Sequence, residues 1–345
     1  MSKRMKIGNM YIGGGEAVAI QSMCSTKTED VDATAAQIGE LAEAGCEIVR
    51  VAVPGMEAAK AVGRIRSKIN IPLVADIHFD YKLALQCVDS GIDKIRINPG
   101  NIGGENNVRA VADACRNAGI PIRIGVNGGS LEKPLLQKYG GVTAEALVES
   151  ALGQAALLNK FDFDDICISV KCSSVPTTMA AYRLLAKSCD YPLHLGVTEA
   201  GTPKMGIIKS AMGIGGLLCL GIGDTMRVTL TADPVEEIYA AKNILRAAEC
   251  RHDGVNLIAC PTCGRTNIDL IAIADEVERR LSNCDKNITV AVMGCAVNGP
   301  GEASAADVGI AGGMCEGIVF SHGKIVRKVP QSGLVDALME EIGKL

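Results

Sequence analysis

The sequence is poor in several residue types on which large classes of proteins depend. Its 345 residues include no tryptophan, six tyrosines and four phenylalanines. Basic residues are not in surplus, because 35 Lys and Arg are matched by 39 Asp and Glu. A nucleic-acid-binding protein usually carries a basic excess together with aromatic side chains on which bases stack. We therefore expect that the protein binds no nucleic acid.

Long apolar segments are also missing from the sequence. A transmembrane helix needs about 18 consecutive apolar residues, whereas the longest candidate, residues 212–222, is interrupted by four glycines. The N-terminus has basic residues but neither the apolar core nor the small-residue cleavage site of a secretion signal. The sequence therefore predicts a cytoplasmic protein without a membrane-spanning segment.

Cysteine, by contrast, is abundant. The chain has 14 cysteines, which in a cytoplasmic protein of this length are more often buried thiols or metal ligands than disulfides. A free cysteine within an apolar run acts as a small apolar residue. Three cysteines in Gly- and Pro-containing segments, Cys260, Cys263 and Cys295, are candidate metal ligands. The cysteines predicted to be simply buried are Cys46, Cys87, Cys115, Cys167, Cys189 and Cys219.

Short apolar runs typical of strands alternate with helical patterns over the first 250 residues. In the segment 31–44, apolar residues recur at helical spacing, Asp30 can cap the N-terminus and Gly45 can end the helix. Continuous apolar strands that alternate with helices are typical of a parallel sheet covered on both faces. Eight such units in about 250 residues predict an α/β fold of the (β/α)₈ TIM-barrel type, with an open doubly wound sheet as the alternative. The predicted strands are residues 17–23, 47–53, 72–77, 94–98, 122–126, 165–170, 192–198 and 216–221.

The sequence pattern changes near residue 250. Residues 251–256 are typical of a linker, a helical pattern covers 267–281, and strand-like runs follow at 288–293, 308–311 and 317–329. A last helix fits residues 334–342. We therefore predict two domains, a barrel over residues 1–250 and a smaller α+β domain over residues 251–345.

Charged and polar side chains occupy the strand ends at which the active sites of TIM barrels lie. Cations buried in apolar strands are costly unless anions accompany them. Their convergence on one barrel mouth suits a ligand with several negative charges, such as a diphosphate. The alternative is that they form structural ion pairs with Asp76, Glu199 and Asp224. The residues at these strand ends are Arg50, Asp76, His78, Arg96, Asn98, Arg123, Asn127, Lys171, Glu199, Asp224, Arg227 and Thr229.

The candidate metal ligands begin with Cys260 and Cys263, whose spacing lets both thiols face one metal from a single turn. Such a pair can belong to a zinc site, a redox dithiol or an iron–sulfur cluster. Together with Cys295 the set has three thiols, which suits a cubane whose fourth iron is open or held by a weaker ligand. The carboxylate of Glu302 is the candidate for that ligand. The alternative is a four-cysteine cluster or a zinc site with Cys284 as the fourth ligand.

Two signatures, CPTCGRT at 260–266 and VMGCAVNGPGE at 292–302, strongly resemble the 4-hydroxy-3-methylbut-2-enyl diphosphate synthases of the methylerythritol phosphate route to isoprenoids. The resemblance extends over essentially the whole chain. The barrel segments that carry it are VRVAVP (49–54), DIHF (76–79), RINPGN (96–101), RIGVN (123–127), SVK (169–171), HLGVTEAG (194–201) and GDTMRV (223–228).

The resemblance implies a TIM barrel followed by a [4Fe–4S] domain similar to that of sulfite reductases. It implies a homodimer in which the cluster domain of one subunit closes over the barrel of the other. The implied reaction is the two-electron reductive ring opening of 2-C-methyl-D-erythritol 2,4-cyclodiphosphate, with loss of water, to (E)-4-hydroxy-3-methylbut-2-enyl diphosphate. Such an enzyme is an oxidoreductase of the EC 1.17.7 type, with flavodoxin or ferredoxin as its electron donor.

The resemblance also implies roles for individual residues. Glu199 matches an acidic residue near the substrate, Asn298 matches a cluster-loop asparagine that reaches the ligand, and Thr229 stands where relatives often carry serine. The implied cluster ligands are Cys260, Cys263, Cys295 and Glu302. The implied substrate-binding residues are Arg50, Arg96, Asn98, Arg123, Asn127, Lys171 and Thr229, and the implied catalytic residues are Glu199, Asn298 and Glu302.

Two other kinds of protein remain open on the residues alone. One is a cluster-dependent hydro-lyase, which would need no external reductant, and the other is a zinc-stabilised binding module on a TIM barrel. A radical S-adenosylmethionine enzyme would need a C-x₃-C-x₂-C run, which the sequence does not contain.

Overall fold

The computed structural model describes residues 1–98, 100–252, 254–282, 284, 286–295, 306–313 and 316–345. The chain divides into two compact units, Met1–Cys250 and Arg251–Leu345. No helix in the described ranges is long and apolar enough to cross a lipid bilayer.

The first unit is a barrel of eight parallel strands. They are ordered β8-β7-β6-β5-β4-β3-β10-β9, and a bridge between Ile168 and Leu193 joins the two ends of this order. The predicted (β/α)₈ barrel is therefore confirmed, and the alternative of an open sheet is wrong. The strands, after a hairpin of β1 (Met5–Ile7) and β2 (Met10–Ile12), are β3 (Ala19–Met23), β4 (Ile48–Ala52), β5 (Leu73–Asp76), β6 (Lys94–Ile97), β7 (Ile122–Asn127), β8 (Ile166–Lys171), β9 (His194–Leu195) and β10 (Thr225–Met226).

Helices cover the outside of the barrel. The first of them begins where the Asp30 carboxylate accepts a hydrogen bond from the Ala33 N–H, and ends at Gly45 with a φ of 106°. The apolar faces of the helices pack on the strands in one continuous core. The helices are α1 (Val31–Ala44), α2 (Met56–Arg66), α3 (Tyr81–Asp89), α4 (Glu105–Ala118), α5 (Lys133–Tyr139), α6 (Ala144–Asn159), α7 (Val175–Ser188), α8 (Pro203–Ser210), α9 (Gly216–Leu218) and α10 (Pro234–Ala247).

The eighth predicted strand, residues 216–221, is wrong. This apolar run is helical, because α8 continues through a π-helical segment, Ala211–Gly215, into α9. Its glycines permit close packing, since a Cβ built on Gly213 would lie 2.7 Å from a methyl carbon of Val197. The eighth strand is β10, which has two residues, and the prediction that Cys219 is buried is also wrong because that residue is exposed.

The amino-terminal end of the barrel is closed by the hairpin of β1 and β2. Side chains of this hairpin pack against the first residues of several barrel strands, in a cluster formed by Met5, Ile7, Ile12, Ala19, Ile48, Val74 and Cys167. The cavity described below lies at the opposite, carboxyl end of the strands.

The second unit has an α+β architecture, as predicted. Its five strands lie in the order β11-β12-β13-β14-β15, with the first three parallel and the last two antiparallel. Two helices, α11 (Leu270–Leu281) and α12 (Leu334–Lys344), share an apolar core with one face of the sheet. The strands are β11 (Val255–Ala259), β12 (Ile288–Met293), β13 (Val308–Ala311), β14 (Glu316–Ser321) and β15 (Lys324–Pro330).

Candidate active site

A cavity of about 320 Å³ lies at the carboxyl end of the barrel strands. Each strand from β4 to β10, or the segment directly after it, contributes to the wall, because inward-facing residues near the strand ends converge at the mouth of a TIM barrel. The lining residues are Arg50, Asp76, His78, Arg96, Arg123, Asn127, Ser169, Lys171, Thr198, Glu199, Arg227 and Thr229. We call the five basic residues among them, Arg50, Arg96, Arg123, Lys171 and Arg227, the cation clamp.

The structure brings most of the predicted substrate-binding residues together in this cavity. Arg50, Arg96, Arg123, Asn127, Lys171 and Thr229 all line it, as does Glu199. Asn98 does not line it. Its side chain is buried, and its Oδ1 accepts a hydrogen bond from the Gly100 N–H at 3.0 Å, so that it shapes the loop after β6.

One carboxylate lies at the centre of the cation clamp. The Arg96 Nη1 donates to Asp76 Oδ1 at 3.0 Å, and the Arg50 Nε lies 3.7 Å from Asp76 Oδ2. Burial alone would raise the pKa of Asp76, but the charges of Arg50 and Arg96 hold that pKa below its usual value. Asp76 therefore stays ionised and compensates part of the positive charge.

The remaining charge is poorly compensated by the protein itself. Arg123 is 1% exposed, and its Nε and Nη1 have no hydrogen-bond partner among the described residues. Burial and the neighbouring Arg96 lower the pKa of Arg123 to about 10. Burial, followed by the charge of Arg123, places the pKa of Lys171 well below its usual value. Such a site favours an anionic ligand, which supplies the missing partners.

The structural ion pairs expected as the alternative exist only in part. Asp76 pairs with clamp cations, whereas Asp224 contacts Ser2 and the Leu193 N–H before the start of β10, away from the cavity. The pairing partner of Arg227 is Glu237 in α10, at 3.2 Å between Nε and Oε2. The sequence reasoning missed Glu237, because nothing in the local pattern of a helix shows which strand it faces.

A sulfur atom also contacts the clamp. The Met23 Sδ accepts a hydrogen bond from Arg50 Nη2 at 2.9 Å and lies 3.4 Å from Arg227 Nη1. A thioether is a weak acceptor, so the N–H groups of Arg50 Nη2 and Arg227 Nη1 that face this sulfur remain available to a stronger anionic partner.

Glu199 lies at the border between this cavity and a second one of about 560 Å³. The two cavities share Asn127, Thr198 and Glu199. Glu199 has a φ of 54°, which is uncommon for a residue with a side chain. Glu199 is therefore the acidic residue that lines both cavities.

His78 and Arg227 are lining residues that were noted at strand ends but not included in the predicted set of site residues. Their position at strand ends, which identified the other cations, is also the feature of the sequence that indicates His78 and Arg227. Thr198 and Ser169 also line the cavity and carry no such signal, because hydroxyl residues are common at strand ends.

The candidate metal ligands lie at neighbouring strand ends in the second unit. Cys260 follows β11 and Cys295 follows β12, and these two strands are paired in parallel. The Gly294 N–H donates to Cys260 Sγ at 3.0 Å, and Cys295 is buried. Cys263 is exposed, and backbone and side-chain hydrogen bonds from Arg265 lower the pKa of its thiol.

This donor set fits an iron–sulfur cluster in its chemistry. The thiols come from adjacent strand ends, and an N–H···S hydrogen bond is one of the features that stabilise cluster thiolates. In the described part of the chain no three His, Cys, Asp or Glu side chains are arranged as a metal site. Asn298 and Glu302 lie outside the described residues. Cys284, the alternative fourth ligand, contacts the apolar core beneath α11.

Comparisons with known proteins agree with both units. The model of the GcpE TIM-barrel domain matches residues 2–242, and that of the GcpE protein C-terminal domain matches residues 256–344. A 4-hydroxy-3-methylbut-2-en-1-yl diphosphate synthase (flavodoxin) from Ruminiclostridium cellulolyticum is 57% identical over 344 residues, covering 100% of this chain and 98% of its own. A protein of the same name from Geobacter sulfurreducens is 58% identical with the same coverage.

Among solved structures, the dihydropteroate synthase of Yersinia pestis superposes with a TM-score of 0.51 at 12% identity. It covers 73% of this chain and 100% of its own, and at this identity the likeness concerns the fold alone. The family models and the sequence relatives, in contrast, span nearly the full length of the chain. On their strength, the chain belongs to the GcpE family.

Proposed function

We propose that the protein reduces 2-C-methyl-D-erythritol 2,4-cyclodiphosphate to (E)-4-hydroxy-3-methylbut-2-enyl diphosphate. The reaction consumes two electrons and two protons, breaks the ring C–O bond at the tertiary carbon and releases one molecule of water. The observation that carries the proposal is the cation clamp, which surrounds one cavity with five basic side chains. The names of the sequence relatives describe the same product.

The members of the clamp differ in how firmly other protein groups hold them, and they can therefore take different roles toward a diphosphate. Arg96 is fixed by Asp76 and by the Gly125 carbonyl oxygen, at 3.0 and 3.1 Å. Two nitrogens of the Arg123 side chain, Nε and Nη1, have no partner in the described part of the chain. We assign to Arg123 and Lys171 the direct binding of phosphate oxygens, and to Arg96 a fixed charge beside them.

The polar residues at the rim orient the carbon skeleton. Asn127 and Thr229 offer an amide and a hydroxyl at the cavity wall, while Asn98 supports the neighbouring loop. Glu199 is the acidic group at the border of the two cavities, and we assign it the transfer of a proton during loss of the hydroxyl group. A carboxylic acid is a common donor for such a leaving group.

We assign the ligands of a [4Fe–4S] cluster to Cys260, Cys263, Cys295 and Glu302, with Asn298 on the same loop as Glu302. When bound, the cluster would supply electrons one at a time to the substrate. The three thiols fit this assignment through the adjacency of their strand ends and the hydrogen bond to Cys260 Sγ. Flavodoxin is the electron donor named for the relatives, and we propose flavodoxin or ferredoxin for this chain.

We also propose that the protein is a homodimer with an active site shared between subunits. A set of exposed apolar side chains on α8, the π-helical segment, the turn after α9 and α10 supports the dimer. Monomeric proteins rarely leave an apolar surface of this kind uncovered. Its members are Met205, Ile207, Ile208, Met212, Leu220 and Tyr239, each at least 40% exposed.

A cytoplasmic location suits the chemistry of the chain. The thirteen cysteines within the described ranges are all free thiols. Free thiols persist in a reducing compartment, and the proposed electron donors are carriers of reducing metabolism.

The test of the proposed function is turnover of the cyclodiphosphate by anaerobically purified protein. We expect conversion to the alkenyl diphosphate with reduced flavodoxin and none without a reductant. Consumption of the cyclodiphosphate without a reductant, with loss of water but no alkenyl diphosphate formed, would identify a hydro-lyase instead. Iron, sulfide and zinc analysis of the same sample tests the cofactor, because a colourless protein with one zinc per chain would contradict the cluster.

A further inference from the structure

Two glycines inside the barrel lie directly against head groups of the cation clamp. Gly125 is in β7, and a Cβ built on it would lie 2.7 Å from Arg96 Nη2 and 2.9 Å from Arg96 Cζ. A Cβ built on Gly196, just after β9, would lie 2.5 Å from Lys171 Nζ and 2.9 Å from Lys171 Cε. These separations are shorter than real Cβ contacts, so each cation occupies the space that an alanine methyl group would fill.

The strand register explains why these two positions meet the cations. Arg96 in β6 is paired with Arg123 in β7, so that Gly125 lies one inward position further toward the mouth. Ile168 and Leu193 form a parallel bridge, and three residues further along each chain the same register places Lys171 beside Gly196. In both cases the end of a long basic side chain lies over an inward-facing glycine of the neighbouring chain segment.

Backbone conformation does not explain the glycines. Neither Gly125 nor Gly196 is among the residues with a left-handed φ. An alanine is therefore allowed at both positions as far as φ and ψ are concerned. What these glycines supply is space, and Gly125 also supplies a carbonyl oxygen that accepts from Arg96 Nη2 at 3.1 Å.

We propose that Gly125 and Gly196 are positioning residues of the cation clamp, which set where Arg96 and Lys171 present their charges to a bound diphosphate. The proposal rests on the proposed function, in which this cavity binds the diphosphate of the substrate. At Gly125 the nearest obstacle to a methyl group is the guanidinium end of the Arg96 side chain rather than backbone. At Gly196 the Arg227 carbonyl oxygen also lies 3.1 Å from the built Cβ, so the alanine is tighter there.

The experiment compares Gly125→Ala and Gly196→Ala with two matched controls, Gly39→Ala and Gly153→Ala. The control glycines lie in α1 and α6, where a built Cβ meets nothing within 4 Å. Inorganic diphosphate is titrated calorimetrically into each full-length protein, and kcat and KM are measured with the cyclodiphosphate. Displacing a binding group by about 1 Å can cost up to about a hundredfold, so we expect at least a tenfold weaker binding and a higher KM in the two test variants only.

A second comparison separates positioning from a general structural effect. If Gly125 acts through Arg96, then Gly125→Ala should not weaken diphosphate binding further in an Arg96→Met background. The thermal midpoint of each unliganded protein reports whether the fold is intact. Should Gly125→Ala fail to fold, the same cycle is run with Gly196→Ala and Lys171→Met.

The outcomes distinguish the two proposals. Wild-type protein that does not bind diphosphate would overturn the proposed function of the clamp, and the positioning roles with it. Wild-type protein that binds, with both alanine variants binding equally well, would overturn the positioning roles alone. The same holds if Gly125→Ala weakens binding as much without Arg96 as with it.

Discussion

Replacement of Arg123 by methionine should change stability and ligand binding in opposite directions. The Arg123 side chain is buried, and its Nε and Nη1 lack hydrogen-bond partners in the described part of the chain. A buried polar group without a partner costs about 1–3 kcal/mol. Methionine has a similar length and no such groups, so we expect the free energy of unfolding of the unliganded protein to rise by roughly this amount.

The effect on the substrate should have the opposite sign. A hydrogen bond to a charged group contributes about 1.5–3 kcal/mol, which corresponds to a Kd weakened roughly 10- to 100-fold. We therefore expect Arg123→Met to bind inorganic diphosphate more weakly and to raise the KM for the cyclodiphosphate by a similar factor. Urea denaturation without ligand measures the first effect, and calorimetric titration with steady-state kinetics measures the second.

Lys94→Met is the matched control for this prediction. Lys94 is also fully buried with an unpartnered Nζ among the described residues, but it does not line the cavity. The control should therefore gain stability while its KM remains that of the wild type. If Arg123→Met instead loses stability and keeps the wild-type KM, Arg123 is a structural residue and the reasoning about the clamp is wrong.

Four further outcomes are expected. Burial lowers the pKa of Lys94 from 10.5 to about 8. Between these pH values the unfolded wild-type chain binds more protons than the folded one, so the wild type gains stability as the pH rises and the stability advantage of Lys94→Met should shrink. An advantage that does not change with pH in urea denaturation would contradict the pKa shift. Cys295→Ser should lose iron on anaerobic purification, whereas Cys284→Ser should retain it; equal iron contents would remove Cys295 from the ligand set. Glu302→Ala should keep most of its iron and lose turnover, and full activity would exclude a role for its carboxylate. Met212→Glu should shift the protein from dimer to monomer in light scattering, and an unchanged mass would place the dimer interface elsewhere.

The fold was predictable where the apolar pattern was unambiguous. Seven of the eight predicted barrel strands overlap observed ones, because each combines a continuous apolar run with a helix that follows it. The eighth failed because charged residues, Asp224 and Arg227, flank the two residues of β10 and interrupt its apolar pattern. The nearby run 216–221 is apolar because its helical part, α9, packs Leu217 and Leu218 into the core of the barrel.

The candidate site was predictable to the extent that it depends on strand ends. Basic residues in apolar strands are a signal that the sequence carries by itself, and they identify four of the five cations of the clamp, Arg50, Arg96, Arg123 and Lys171. The internal arrangement of the clamp was not predictable, because the contacts of Arg227 with Glu237 and of Arg50 with Met23 join side chains on different elements, and the sequence does not show which elements pack together. Gly125 and Gly196 were also overlooked. The sequence does not show which side chain packs against a glycine, and their role depends on the Arg96 and Lys171 side chains that lie against them.

The most direct test of the account is the electron stoichiometry of turnover. Reduced flavodoxin, monitored by its absorption under anaerobic conditions, is oxidised while the cyclodiphosphate is consumed and the alkenyl diphosphate is counted. The proposed reduction withdraws two electrons from the carrier for every product molecule formed. Cyclodiphosphate consumed with no oxidation of the carrier would contradict a reductive reaction. Carrier oxidation that does not depend on the cyclodiphosphate would contradict the assignment of the substrate.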